Sequence, residues 1–286
     1  MKRDIADSKS SKTLRYIEFR DLIETINLRQ LENYDCTALN VWSYRKANDV
    51  REGVNIRFGN MCNGFPFTIE GNPFFNSECA YIAGAYAGSN PDQINIQRLI
   101  SEEVNGMKCK RIYCRRIEFT SNIREDFYTY NIQWMMYIIW NKCLLNKRFS
   151  DLLRAIPVDA HVVENTSFHK GASSTFWGAK NMELTSVRKV AEAEIIRNGV
   201  YRFKKDRDIA QMHAANAINN IGHFEGVNVM GKIIKVCSLS LIYGQEPPID
   251  FEWLASKKLY LLGNLIDFPE MQQVYKSMPF IVNGHI

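Results

Sequence analysis

A chain of 286 residues that is 46% hydrophobic and 23% charged is long enough to bury a sizeable core and too apolar for wholesale disorder. Its net charge of +5, from 36 basic and 31 acidic residues, permits a nucleic-acid partner without requiring one.

Residues 1–12 are polar and expected to fray. Between 13 and 40, Leu14, Ile17, Phe19, Leu22, Ile23, Ile26 and Leu28 recur at loosely helical spacing and predict a helix. From 37 to 75, β-branched and aromatic residues are punctuated by Gly53, Gly59, Asn63, Gly64 and Gly71. That texture predicts short strands, with a hairpin turn at Glu70-Gly71-Asn72. Asn76-Ser77-Glu78 opens a predicted helix through Ala87, with a polar cap at its start and Gly88 at its end. A further helix is predicted from Pro91 to Val104. The strongest helical signal covers 127–155, where Ile132, Met135, Met136, Ile139 and Cys143 are followed by Phe149, Leu152 and Leu153. Its aromatic and methionine stripe suits core packing better than a ligand pocket. Two helices are predicted near 186–198 and 206–221, closed by Gly199 and Gly222. Pro247-Pro248 then precedes an amphipathic stretch at 250–266 and a short one at 269–278. There is no internal repeat.

The seven cysteines show no framework spacing, which argues against a disulfide scaffold and for a reducing compartment. Cys109 and Cys114 lack the second pair that a structural zinc needs, and nothing calls for a metal or a cofactor. The start, MKRDIADSKSSK, has no apolar stretch of the signal-peptide kind. The longest apolar run, Trp134 to Trp140, is seven residues, too short for a bilayer. A cytoplasmic protein without a membrane partner is expected.

Familiar catalytic signatures are absent: no Gly-x-Gly-x-x-Gly, Walker loop, Gly-x-Ser-x-Gly or His-Glu-x-x-His, and no close pair among the five histidines. What remains is an ordered series of short motifs. Tyr44-Arg45-Lys46-Ala47-Asn48-Asp49 comes first, then Phe58-Gly59-Asn60-Met61 and Gly64-Phe65-Pro66-Phe67. Asn76-Ser77-Glu78-Cys79-Ala80-Tyr81 and Val162-Val163-Glu164 follow. Phe176-Trp177-Gly178-Ala179-Lys180 and Gly226-Val227-Asn228-Val229-Met230-Gly231-Lys232 close the series. This order resembles the NADAR family over about residues 42–240, with 179–225 resembling an insertion.

The resemblance implies an α+β, predominantly helical single domain of NADAR type. It would have a small β-sheet near 40–75 and 158–165 and a helical insertion. An N-terminal extension (1–40) would precede the catalytic domain (41–245), and a C-terminal helical extension (246–286) would follow it. The implied activity is N-glycosidic hydrolysis, removing ADP-ribose from ADP-ribosylated guanine in nucleic acid. Such an enzyme reverses a cognate ADP-ribosyltransferase toxin, so its partners would be an ADP-ribose-type ligand, ADP-ribosylated DNA and that transferase. Two alternatives stay open: an N-glycosidase on phosphorylated riboflavin-pathway intermediates, and a catalytically silent ADP-ribose-binding module.

Cleaving an N-glycoside develops positive charge on the anomeric carbon, which a carboxylate can stabilise. Glu78, in the first turn of a predicted helix, is one candidate; Glu164, at the end of a predicted strand, is another. The Lys46 amine can attack a ring-opened sugar as a Schiff-base nucleophile, with Arg45 as the neighbouring cation that lowers its pKa. For ligand binding the candidates are Arg45, Asn60, Phe67, Tyr81, Lys108, Trp177, Gly178, Asn228 and Gly231. Trp177 would stack on a heterocycle. Asn60 and Asn228 would bond sugar or diphosphate oxygens. Gly178, Gly226 and Gly231 would let backbone approach a phosphate. Each also has a purely structural reading. The basic run Lys108, Lys110, Arg111, Arg115 and Arg116 can touch a nucleic-acid backbone, bind the diphosphate of ADP-ribose through one or two of its residues, or be a solvated face.

The sequence departs from the family pattern in three places. Ser173-Ser174-Thr175 stand where relatives carry an Asp before the aromatic-Trp-Gly. Ala85 stands where some relatives have a lysine, and no Arg ends the last motif.

Overall fold

The computed structural model describes residues 15–45, 49–51, 54–167, 169, 171–184, 186 and 222–277. The predicted helices at 186–198 and 206–221 lie outside these, apart from Ser186. The architecture mixes helix and strand, with helices dominant and the strands gathered in several small sheets.

Helix α6 (Phe127–Leu145) is the axis of the core. It is apolar on every side, and Tyr130, Trp134, Met136, Tyr137, Ile138, Ile139 and Cys143 are fully buried. A helix without a polar face has to be surrounded. Helix α2 (Ser77–Ala85) packs against it through a small-residue surface. A Cβ on Gly84 would stand 2.0 Å from Trp134 Nε1, so only glycine admits the indole there. The contact is fixed by polar bonds: Trp134 Nε1 donates to the Ala80 carbonyl (3.2 Å) and Tyr130 Oη to that of Gly84 (2.8 Å). The aromatic and methionine stripe is therefore packing, as its spacing suggested. The single helical signal over 127–155 resolves into two helices. Asn146 leaves helical geometry (φ −132°, ψ 96°) and caps α7 (Lys147–Arg154), accepting from Phe149 N–H at 3.2 Å.

Helix α2 in turn packs against α3 (Pro91–Ser101) and α4 (Gly106–Tyr113), and the short α5 (Ile117–Thr120) packs on α4. The N-terminal signal is shorter than expected: helix α1 covers 15–24, and the chain then turns into β1 (Glu32–Asp35). Strand β2 (Val41–Tyr44) pairs in parallel with β7 (His161–Glu164), bringing Tyr44 opposite Glu164. This is the sheet expected between 40–75 and 158–165. The other strands of that region, β3 (Asp49–Arg51) with β4 (Val54–Ile56) and β5 (Phe67–Ile69) with β6 (Asn72–Phe74), are separate hairpins. Glu70 (φ 50°) and Gly71 (φ 73°) make the predicted turn between β5 and β6.

A three-stranded antiparallel sheet, β1-β9-β8, was not anticipated. It draws β9 (His223–Gly226) and β8 (Lys180–Asn181) together with β1, tying residues 32–35 to the middle of the chain. After it comes α9 (Val229–Tyr243), nearly as buried as α6. The amphipathic stretch at 250–266 is not one helix. It is α10 (Phe251–Ser256) followed by a hairpin of β10 (Tyr260–Leu261) and β11 (Asn264–Leu265), with Leu262 and Gly263 in left-handed backbone. Helix α11 (Phe268–Lys276) follows, close to its expected limits. Among the described residues no helix is long and apolar enough to cross a membrane.

Candidate functional site

Glu78 sits in the first turn of α2, where the sequence put it. Asn76 caps the helix by accepting from Cys79 N–H (3.0 Å), and the Glu78 N–H donates to the Asn60 carbonyl at 3.0 Å. Its side chain is 9% exposed and lies 3.5 Å from Lys110 Nζ on α4. The approach of α4 depends on Gly106, where a Cβ would meet Asn76 Oδ1 and Glu78 Cβ at 3.1 Å each. Lys110 follows Gly106 by four residues and so shares its helical face. Burial raises the Glu78 carboxyl above its ordinary value, and the Lys110 ammonium pulls it back down.

Glu164 ends β7, also as expected, and its position is held by backbone bonding on both sides. Its N–H donates to Asn228 Oδ1 (3.0 Å), and its carbonyl accepts from Ala179 N–H (2.9 Å). Asn228 has no exposed surface and sits at φ 55°. Its Nδ2 donates to the Val162 carbonyl (2.8 Å) and to Tyr34 Oη (3.1 Å). Burial, then the charge of Glu78, raises the Glu164 carboxyl to about 8, with Lys110 opposing. The two carboxyls and the one ammonium therefore lie within electrostatic reach of one another, although they come from three elements.

A ring of aromatics adjoins them. Tyr81, one turn beyond Glu78 on α2, packs edge-on against Trp177 (ring centroids 5.4 Å apart) and against Phe127 (5.3 Å). Asn131 Nδ2 donates to Tyr81 Oη at 3.4 Å. Trp177 ends the short α8 (Ser173–Trp177) and is only partly buried, which leaves ring surface for a ligand. On the basic side, partial burial and the charges of Lys110, Lys180 and Arg45 together hold His169 below the usual histidine range. Arg45, just past β2, thus belongs to the same neighbourhood. Lys46, the proposed nucleophile, lies outside the described residues.

Several ligand-binding expectations resolve into structural roles. The Asn228 amide is consumed by three bonds inside the protein, so it positions Glu164 rather than meeting a ligand. Gly231 and Gly178 are glycines because backbone passes too close for a side chain. A Cβ would stand 2.3 Å from the Val162 carbonyl oxygen at Gly231, and 2.4 Å from that of Glu164 at Gly178. Gly226 is similar, 2.4 Å from the Gly178 carbonyl oxygen. Phe67 is buried on β5 and stacks on Phe74 (6.1 Å), away from solvent. Lys108 turns to Glu103 (2.5 Å) and not to the site. The side-chain Oδ1 of Asn60 is buried and has no hydrogen-bond partner among the described residues.

Lys110 is the member of the basic run that the structure brings beside Glu78, which sequence reasoning did not single out from its neighbours. The signal that finds it is its four-residue spacing from Gly106 on α4. No protein-family model matches the chain, and no curated protein matches it.

Proposed function

We propose that this protein is an N-glycosidase that hydrolyses ADP-ribose from ADP-ribosylated guanine in nucleic acid. One observation carries the reading: Glu78 and Glu164, both raised by burial, lie within reach of the Lys110 ammonium beside the Tyr81–Trp177 edge. Carboxyls pushed apart in proton affinity divide acid and base roles between them. Glu164, protonated near neutral pH, donates its proton to the departing base nitrogen as the C–N bond breaks. Glu78, beside the Lys110 ammonium that opposes the rise of its carboxyl, faces the positive charge that develops on the anomeric carbon and takes a proton from the attacking water. The products are a base bearing N–H and a ribose bearing a new C–OH, so the exchange consumes one water. Trp177 stacks on a planar heterocycle of the substrate, and Asn60 Oδ1 accepts from a sugar hydroxyl. A route through Lys46, by imine formation on the ring-opened sugar, uses the same pair of carboxyls.

The deciding experiment incubates the full chain with an ADP-ribosylated oligonucleotide and quantifies free ADP-ribose. Release that disappears in Glu78→Gln supports the proposal. Cleavage of a phosphorylated riboflavin precursor alone would move the substrate to a small metabolite. Tight binding of ADP-ribose with no release from either substrate would make the protein a binding module.

A further inference from the structure

Three cations surround the phenyl ring of Phe65. Lys142 Nζ on α6 lies 5.4 Å from the Phe65 ring centroid, the Arg57 guanidinium 5.2 Å and the Arg148 guanidinium 5.9 Å. Among the described residues, none of the three has a carboxylate partner. Lys142 has no exposed surface at all. Its ammonium carries three N–H donors but makes one hydrogen bond, to Ser77 Oγ at 3.3 Å, and otherwise rests on the Phe149 face at 4.1 Å. Among the described residues Arg57 donates once, to the Asn63 carbonyl at 2.8 Å, while its Nε is buried without a partner there. Lysine and arginine are almost never buried without a pair. Aromatic faces compensate such charges only in part.

We propose that Arg57, Lys142 and Arg148 form an anion site for the phosphate or diphosphate group of a small-molecule ligand. Arg57 and Arg148 supply planar forks that match phosphate oxygens. Arg148, exposed, is the entry side; Lys142 is the buried floor. Burial, opposed by nearby thiols and aided by the Arg57 charge, lowers Lys142 to about 8, the direction expected of an ammonium still lacking its anion. The site does not depend on the glycosidase reading. It uses none of the groups assigned to bond cleavage, although Ser77 immediately precedes Glu78.

The test is calorimetric titration of the full chain with inorganic phosphate and with pyrophosphate at low and high salt. Saturable binding of either probe is expected. It should weaken ~10- to 100-fold in Arg57→Gln and in Arg148→Gln, the range for one lost charge-assisted contact. Lys147→Gln, which removes a neighbouring surface cation already paired with Asp151, should leave it unchanged. Lys142→Met should abolish binding; if that variant fails to fold, the two arginine variants decide. No saturable binding by either probe would overturn the site. So would equal weakening by Lys147→Gln, which would reduce it to diffuse surface charge. Because the readout is binding, an anion site without glycosidase activity, or the reverse, can be told apart.

Discussion

Glu164→Gln replaces a carboxyl that burial and the Glu78 charge hold at about 8 with an amide of the same shape. In the unfolded chain that carboxyl titrates at its ordinary value of 4.5. Between these two limits the folded protein holds a proton that the unfolded chain has released. Stability contributed at this position is therefore unaffected below the lower limit and falls as pH rises through the window, with the full cost reached above the upper one. At about 1.4 kcal/mol per pH unit the ceiling is on the order of 5 kcal/mol. The side chain is partly exposed, and solvent screening brings the expected cost to roughly 2–3 kcal/mol. The assay is denaturant unfolding of wild type and variant in parallel from about pH 5 to about pH 8. The quantity to read is their difference, because His161 and His169, both held below the usual histidine range by burial, contribute equally to both proteins. The variant should gain on the wild type steadily as pH rises. A flat difference, or one with the opposite slope, would show that Glu164 is ionised in the folded protein and cannot be the acid. In turnover assays the same variant should lose ~100-fold or more in kcat, the usual worth of a positioned proton donor.

Four further outcomes follow from the geometry. Lys110→Met removes the ammonium that opposes the rise of both carboxyls, so the pH–rate profile should move to higher pH and kcat should fall ~10- to 100-fold; an unshifted profile would separate Lys110 from the site. Trp177→Ala should raise KM by roughly 10-fold, the worth of one stacked base, with kcat little changed. Asn228→Ala leaves the Glu164 N–H and the Val162 carbonyl unsatisfied in a buried place and should cost about 2–4 kcal/mol in denaturant unfolding. Borohydride added during turnover should trap a sugar adduct on Lys46 by mass spectrometry, and undiminished trapping in Lys46→Ala would end the imine route.

The parts of the site that were legible in the sequence are those set by local rules. Asn76-Ser77-Glu78 reads as a capped helix start because cap chemistry depends on residues within one turn. Glu164 reads as a strand end because two valines precede it. The turn at Glu70-Gly71 is legible for the same reason. What could not be read depends on partners far along the chain. Asn228 looked like a ligand contact because its role is to bridge Tyr34, Val162 and Glu164, and no local pattern reports a bond across 194 positions. The long helical signal concealed the break at Asn146, since its apolar residues continue on both sides and only the cap geometry marks the boundary. Phe67 was selected by its motif, whereas strand alternation buries it with Ile69 and leaves Thr68 outside.

The same long-range bonds explain why the chain tolerates two desolvated carboxyls side by side. Left to itself, Glu164 would relax toward water, because proximity to Glu78 and burial both oppose its ionised form. It cannot, because its backbone is fixed from both directions. Asn228 Oδ1 takes its N–H, Ala179 N–H takes its carbonyl, and Gly178 and Gly231 let backbone close to within a distance no side chain would allow. Glu78 is fixed in turn by the Asn76 cap, the Asn60 carbonyl and the close approach at Gly106. Rigid backbone thus holds the two acids in an environment they would not choose. A structural ion pair would have been made with one acid to one base. A second carboxyl held beside the Glu78–Lys110 pair, at a cost in stability, is what acid–base division between two carboxyls requires.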